Sequence, residues 1–330
     1  MRKTALILLM SLTVCLLHGC FDASEIDDIL QVSALGIDVG EKDDWRITIQ
    51  FPTLREGGGN TGGGGGSSGG NGGGGGGGEG REKKEEDGLS QDGFTVVSCE
   101  APSFYEALAI LDASVPREIN FMQTQVVVFS EDVAKGGKLG EFIAPLVRFR
   151  EIRRTSFIFV TKGKAMDFIK ANKPYIGTDI SKNYRIWIEE SRGTGYFPYV
   201  TIGSFYEKLK SPKSQAIATL AAVNDFSGFA GEGEQESSKG GQGSRHAAGK
   251  LPRISENKVE LWGTAIFDGE IMAGELNGDE TRYLLMLRNE FSRGIYTIQD
   301  PLEEGVIVVI ELRSAKPADI KVEFVDDVPR

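Results

Sequence analysis

Leu35, Ile37 and Val39 alternate with small or polar residues, and the alternation returns at Ile47, Ile49 and Phe51 after Gly40-Glu41-Lys42-Asp43-Asp44. A period of two puts one set of side chains on one face, so this stretch predicts a half-buried hairpin with a polar turn. Phe94 to Cys99 reads as a further strand. Pro102-Ser103-x-x-Glu106 then has the form of a capping box, with Ser103 at the N-cap and Glu106 reaching back. Phe104, Ala107, Leu108 and Leu111 follow at helical spacing, to about Ala113.

The same reading continues down the chain. Strands are predicted over 121–129, 155–161 and 214–223, and helices over 139–147 (with Pro145 near the end), at Ala165, Phe168 and Ile169, over 180–190 and over 204–209. Residues 259–267 and 270–276 form a predicted hairpin around Asp268-Gly269, a favoured turn pair. Asn277-Gly278-Asp279-Glu280 opens a helix with acidic residues at its positive end and Leu284, Leu287 and Phe291 on its buried face. Strands are expected at 296–298, 306–312 and 320–325. Strands and helices interleaved behind an opening hairpin predict an α+β class, mixed β-sheets with packed helices in at least two α+β domains.

Two low-complexity stretches interrupt the pattern. Eighteen of the twenty-four residues from Gly57 to Gly80 are glycine, and the charged run Arg81 to Asp87 follows. A segment with nothing to bury predicts disorder, here an insert over 57–92. Its Gly-x-Gly-x-x-Gly strings are accidents of composition, because a phosphate loop needs a helix immediately afterwards. A second Gly/Ser-rich stretch, 225–250, predicts a mobile loop. The expected organisation is therefore 1–19, 20–203 with its insert, a second α+β domain over 204–293, and a further unit beginning at 294.

The first nineteen residues are read as a signal peptide. Met1-Arg2-Lys3 is basic, and the uncharged stretch from Thr4 to Leu17 follows. Fourteen helical residues span about 21 Å, short of a bilayer core of ~30 Å. That length fits a signal-peptide core, and Leu17-His18-Gly19-Cys20 resembles the lipobox of bacterial lipoproteins. Small Gly19 gives a peptidase access, and the Cys20 thiol receives the diacylglyceryl group. Two acyl chains hold a soluble body stably on a membrane.

Charge and reactive-residue usage narrow the function. The net charge is −11 over 330 residues, and loss of Arg2 and Lys3 with the signal takes it to −13. An acidic body binds polyanions poorly, which argues against nucleic acid. Of three cysteines, Cys15 leaves with the signal and Cys20 is lipidated, so Cys99 has no intrachain partner and no disulfide framework is expected. Cys99 lies in a strand-like run and reads as a small hydrophobe. The mature chain carries one histidine, His246, in the second Gly/Ser-rich stretch. A histidine-based catalytic unit would rest on that loop residue, and a histidine-rich metal site is excluded. No catalytic residue, metal site or cofactor is predicted. Arg148, Arg150, Arg153 and Arg154 form the densest basic cluster. They pair with carboxylates such as Glu141 and Glu151, stay solvated, or dock to a partner or to anionic lipid.

Short strings in order carry a resemblance. Cys20-Phe21-Asp22 with Glu25-Ile26, Ala34-Leu35-Gly36-Ile37-Asp38, Pro116-Arg117, and Arg148-x-x-Glu151-Ile152-Arg153-Arg154-Thr155 come first. Trp262-Gly263-Thr264-Ala265-Ile266-Phe267 and Leu276-Asn277-Gly278-x-Glu280-Thr281-Arg282 follow. Together, behind a lipobox, they resemble the Ger(x)C family, the C subunits of nutrient germinant receptors in spore-forming bacteria. Phe21 stands where the family usually has tryptophan, and the polyglycine insert is not a family feature.

The resemblance implies a non-enzymatic, lipid-anchored subunit on the outer face of the spore's inner membrane. Its partners would be an integral-membrane A subunit and a transporter-like B subunit. It also implies that 294–330 begins a truncated third domain. A substrate-binding lipoprotein of a transporter is the alternative; it would favour repeated βαβ units around a ligand cleft.

Overall fold

The computed structural model describes residues 28–53, 93–175, 177, 179–227, 246–303 and 305–313, with the short pieces 3–4, 319, 324–325 and 328–329. Cys20, the polyglycine insert and most of the second Gly-rich stretch lie outside the described residues.

The strands, in chain order, are β1 (Ile29–Gln31), β2 (Ala34–Val39), β3 (Trp45–Pro52), β4 (Phe94–Ala101), β5 (Glu118–Asn120), β6 (Val126–Ser130) and β7 (Phe157–Thr161). They continue with β8 (Ile217–Val223), β9 (Val259–Asp268), β10 (Ile271–Leu276), β11 (Arg293–Gln299), β12 (Ile307–Arg313), β13 (Phe324–Val325) and β14 (Val328–Pro329). The helices are α1 (Phe104–Ser114), α2 (Glu131–Lys135), α3 (Leu139–Arg148), α4 (Ala165–Ala171), α5 (Ile180–Ser191), α6 (Ile202–Lys210) and α7 (Gly278–Leu287).

One eight-stranded sheet, in the order β10-β9-β8-β7-β6-β2-β3-β4, organises the molecule. Its centre, β8, β7, β6 and β2, is parallel. An antiparallel pair closes each side, β9–β10 on one and β3–β4 on the other. The parallel centre needs crossovers, and helices supply them on both faces. Consequently β6 (Val-Val-Val-Phe-Ser) and β7 (Phe-Ile-Phe-Val-Thr) are buried at every position.

Alternation sorts their side chains into two cores. Val127, Phe129, Ile158 and Val160 meet α1, α2, α3 and α6 through Phe104, Val133, Phe142 and Phe205. Val126, Val128, Phe157 and Phe159 meet α4 and α5 through Phe168, Ile169, Tyr184 and Ile188. A buried polar relay fastens the second layer: the Tyr184 hydroxyl donates to Gln50 Oε1 at 3.1 Å, and Gln50 Nε2 donates to the Ile169 carbonyl at 3.1 Å. Burial pushes the Tyr184 phenol well above its ordinary value.

The α+β class with mixed sheets and packed helices holds. Several local readings change. β8, β9 and β10 extend the same sheet as β2 to β7, so the division expected at 203–204 falls inside one continuous sheet. Of the strand expected over 121–129, only Val126 onward joins the sheet; Thr124 N donates to the Phe121 carbonyl in a turn, and the short β5 precedes it, paired in parallel with β1. Ser103 caps α1 by accepting from Glu106 N at 3.2 Å, and no return bond from the Glu106 side chain is formed. On α7 the buried residues are Gly278, Asp279, Thr281, Arg282 and Leu285, whereas Leu287 is 64% exposed and Phe291 is buried beyond the helix end. The apolar spacing there reflected an amphipathic helix whose inner face is mainly polar.

The hairpin β11–β12 forms its own two-stranded sheet. Ile295, Ile307 and Val309 on it are exposed. The ends of the polyglycine insert are pinned together, since Pro52 pairs with Phe94 and Thr53 N donates to the Gly93 carbonyl at 3.0 Å.

Candidate partner-facing site

The parallel strands start at one end of the sheet, and the chain segments feeding them meet there. At that end α1 runs into Val115, Pro116 and Arg117, β5 begins, and α3 runs out into the turn 149–155. Together they enclose a cleft of about 590 Å³ lined by Leu108, Val115, Arg117, Ile119, Phe149 and Glu151, among others. Aromatic edges make the floor: Phe149 lies 5.4 Å from Phe104 and 5.8 Å from Phe121, centroid to centroid. Asp112, Arg117 and Glu118 also line the cleft.

The four predicted arginines occupy this turn. Arg148 is the last residue of α3, where a cation complements the negative helix end. Arg150, Arg153 and Arg154 lie in the connection to β7, and all four side chains are exposed. The backbone around them is fixed: Ser156 N donates to the Arg153 carbonyl at 3.0 Å and Gly203 N to the Arg154 carbonyl at 2.9 Å. The ion pairs considered with Glu141 and Glu151 are not formed among the described residues. Glu151 Oε2 instead accepts the Phe121 N–H at 3.0 Å, tying the turn to the start of the 121–125 loop.

The remaining resembling strings resolve into structural roles. In Ala34-Leu35-Gly36-Ile37-Asp38, Gly36 faces α4, where an added Cβ would crowd Ile169 Cδ1 at 2.7 Å. Asp38 accepts from Ala165 N at 2.6 Å and Met166 N at 3.0 Å, so a carboxylate from β2 caps the start of α4. Lys164, in the N-cap position itself, has no capping side chain to offer. Burial raises the Asp38 pKa above 3.8, and the two backbone donors and Arg46 oppose the rise.

In Trp262-Gly263-Thr264, Gly263 has φ +91°, and a Cβ there would strike the Leu276 carbonyl oxygen, so only glycine fits. Thr264 and Thr281 share a buried hydroxyl contact of 2.9 Å. Asn277 and Glu280 make a complete capping box for α7. Gly278 leaves room for the Trp262 ring, which stacks on Tyr196 at 4.0 Å.

Arg282, 3% exposed, lies 3.7 Å from the Tyr196 ring centroid and 4.6 Å from that of Tyr296. It donates to the Thr194 carbonyl from Nε at 3.1 Å and Nη2 at 2.9 Å, and to the Ile295 carbonyl from Nη1 at 2.9 Å. One side chain thus joins α7 to the turn after α5 and to β11. The sequence alone assigns no role to Arg282 or Asp38. For Asp38 the available signal was a charged residue closing a string of small and apolar residues, Ala34-Leu35-Gly36-Ile37.

The Cys99 thiol is half-buried, donates to the Ala107 carbonyl at 3.7 Å, and has its pKa raised by burial. Among the described residues no group of three His, Cys, Asp or Glu is placed to hold a metal ion. No helix among them is long and apolar enough to cross a membrane.

Comparison with known proteins gives the family. Residues 22–223 match the family model described as spore germination protein N-terminal domain, and residues 262–330 match spore germination B3/GerAC like, C-terminal. The chain belongs to this family, the Ger(x)C spore germination proteins. It is 32% identical over 173 residues to the spore germination protein YfkR of Bacillus subtilis (strain 168), covering 52% of this chain and 39% of that one. It is 30% identical over 176 residues to spore germination protein KC of the same organism, covering 52% and 37%. The alignments thus span less than half the length of these relatives. The crystal structure of the GerBC protein aligns with a TM-score of 0.41 at 15% identity, over 89% of this chain and 67% of that one.

Proposed function

We propose that this chain is the lipid-anchored C subunit of a nutrient germinant receptor, acting without catalysis in spore germination beside membrane A and B subunits. The observation that carries the reading is the pair of family models, which match in order over 22–223 and 262–330. The sequence supplies the anchor: a short apolar core followed by Leu17-His18-Gly19-Cys20. The outer face of the spore inner membrane is the location that this anchor and these relatives imply. The use of each side chain described above agrees with a subunit whose work is contact. Asp38, Arg282 and the buried glycines hold elements together, and the arginine turn is left facing outward.

The test is co-purification. A tagged chain drawn from spore membranes should bring A-type and B-type subunits with it, and mass spectrometry should find a diacylglyceryl group on Cys20. Cys20→Ala should abolish that modification and lower the amount of chain in the membrane fraction. An unmodified Cys20, or a tagged chain that purifies without integral-membrane subunits, would overturn the reading.

A further inference from the structure

We propose that the end of the sheet carrying Arg117, Arg148, Arg150, Arg153 and Arg154 is a docking face for anionic lipid headgroups. It would orient the whole domain on the bilayer. The proposal rests on the Cys20 anchor for its reach, but the face itself is defined by described residues.

The first argument is covalent distance. Ile29 lies beside Glu118 in the parallel β1–β5 pair, and Arg117 precedes Glu118. Eight residues lie between Cys20 and Ile29, and the nine steps from one to the other span no more than about 32 Å even when fully extended. A lipidated Cys20 therefore keeps the β1–β5 end close to the membrane. Arg117 and the turn residues Phe149 and Glu151 line one cleft at that end, so the arginine turn comes with it.

The second argument is charge. The five arginines are exposed and form no ion pair among the described residues. The carboxylates at the same cleft are Asp112, Glu118 and Glu151, three negative charges against five guanidinium groups. The face is thus locally positive on a chain of net charge −11. At physiological salt the Debye length is about 8 Å, so the distant acidic groups do not cancel it. The opposite end of β2 is the acidic turn with Glu41, Asp43 and Asp44, which this orientation turns away from an anionic surface. Guanidinium groups match phosphate oxygens in bidentate geometry, and each basic residue near an anionic leaflet contributes about 1 kcal/mol.

The test uses the lipidated chain reconstituted into vesicles of phosphatidylcholine, alone or with one-third phosphatidylglycerol. Amide hydrogen exchange over 148–154 should slow in the anionic vesicles relative to the neutral ones. High salt, or Arg148→Gln with Arg150→Gln, should remove the difference. In parallel, the non-acylated mature chain is sedimented with the same vesicles. It should bind the anionic ones, and the double glutamine variant about thirtyfold more weakly.

Equal exchange in both vesicle types would overturn the face. So would protection that requires added membrane subunits, which would make it a protein-docking surface. The mass of Cys20 separates the two ideas. An unmodified cysteine with selective anionic binding removes the anchor and keeps the face, and a modified cysteine without selectivity does the reverse. Should the glutamine variant lose its thermal transition, Arg150→Lys, which keeps the charge, must bind like the parent.

Discussion

The two ends of the central sheet treat charge in opposite ways. At the end where the parallel strands finish, cations are paired. Lys164 lies 3.6 Å from Glu41, Lys135 2.7 Å from Glu131, Lys162 2.7 Å from Glu275, and Arg46 2.9 Å from Glu41 and 2.7 Å from Glu100. Asp38 at that end is buried and spends both oxygens on the start of α4. At the end where the strands begin, Arg148, Arg150, Arg153 and Arg154 stand exposed and form no ion pair among the described residues. Resembling strings occur at both ends, so membership of such a string does not tell whether a charge builds the fold or serves the surface. The partners do. Substitution at a satisfied, buried charge should cost stability, and substitution at an unsatisfied, exposed one should cost contact.

The largest cost is expected at Arg282, which stands with the satisfied charges although it lies on α7. Arg282→Ala strips the donors from the Thr194 and Ile295 carbonyls and opens the space between Tyr196 and Tyr296. A loss of about 3 kcal/mol follows from unsatisfied buried acceptors and lost ring contacts, read from urea unfolding. Arg282→Lys should recover only part of it, because an ammonium cannot reproduce the fork. If alanine is tolerated with no shift in midpoint, this buried charge is not holding α7, the 192–194 turn and β11 together.

Asp38→Ala comes next, at about 2 kcal/mol, since Ala165 N and Met166 N lose their acceptor in a buried setting. Its pH behaviour sharpens the point. Burial holds the folded Asp38 above 3.8, so the folded state keeps its proton to higher pH than the unfolded chain does. The stability linked to that proton is fully present below about pH 4 and is lost as pH rises through the folded value. Asp38→Asn cannot ionise, so the advantage of the parent over this variant should shrink as pH rises from 4. An advantage that grows instead would mean the two backbone donors outweigh burial.

Much of the fold was legible because period and caps agree locally. The β2–β3 and β9–β10 hairpins, the Pro145 helix, the Ser103 cap and the start of α7 were readable from alternation, turn pairs, N-cap chemistry and an acidic first turn. The continuous sheet was not. β8 joins β7 across a crossover that includes α5 and α6, and no local pattern announces a parallel neighbour far along the chain. The 121–125 turn was misread as strand because Phe121 and Met122 are apolar, whereas its shape comes from backbone capture by Glu151. The arginine cluster was visible in the sequence, and its lack of ion pairs among the described residues was not. Whether Arg148 meets Glu141 depends on where a carboxylate 7 residues back along α3 points, and composition does not say.

The polyglycine insert offers a smaller effect. Its ends meet at the Thr53–Gly93 hydrogen bond, so its closure is already held by β3–β4 pairing. Deleting Gly57–Gly80 shortens the connection between 53 and 93 by somewhat more than half. Each halving of a flexible loop saves only about 0.6 kcal/mol of closure entropy. The melting temperature should rise by a few degrees at most. A fall of many degrees would mean that the segment packs on the body.

The smallest change in stability is expected from the substitution with the largest change in charge. Arg150→Glu together with Arg154→Glu moves the net charge by four units, yet both side chains are exposed and neither forms an ion pair or side-chain hydrogen bond among the described residues. Exposed positions away from packed features stay within about 0.5 kcal/mol on substitution. The Gly203 bond to the Arg154 carbonyl and the Glu151 bond to the Phe121 N–H do not involve the altered side chains and persist. The urea midpoint should therefore match the parent, while membrane partners or anionic vesicles retain less of the variant. A variant that unfolds early would move these arginines into the same class as Asp38 and Arg282. One that stays folded and stays bound would leave the two ends of the sheet chemically different but functionally alike.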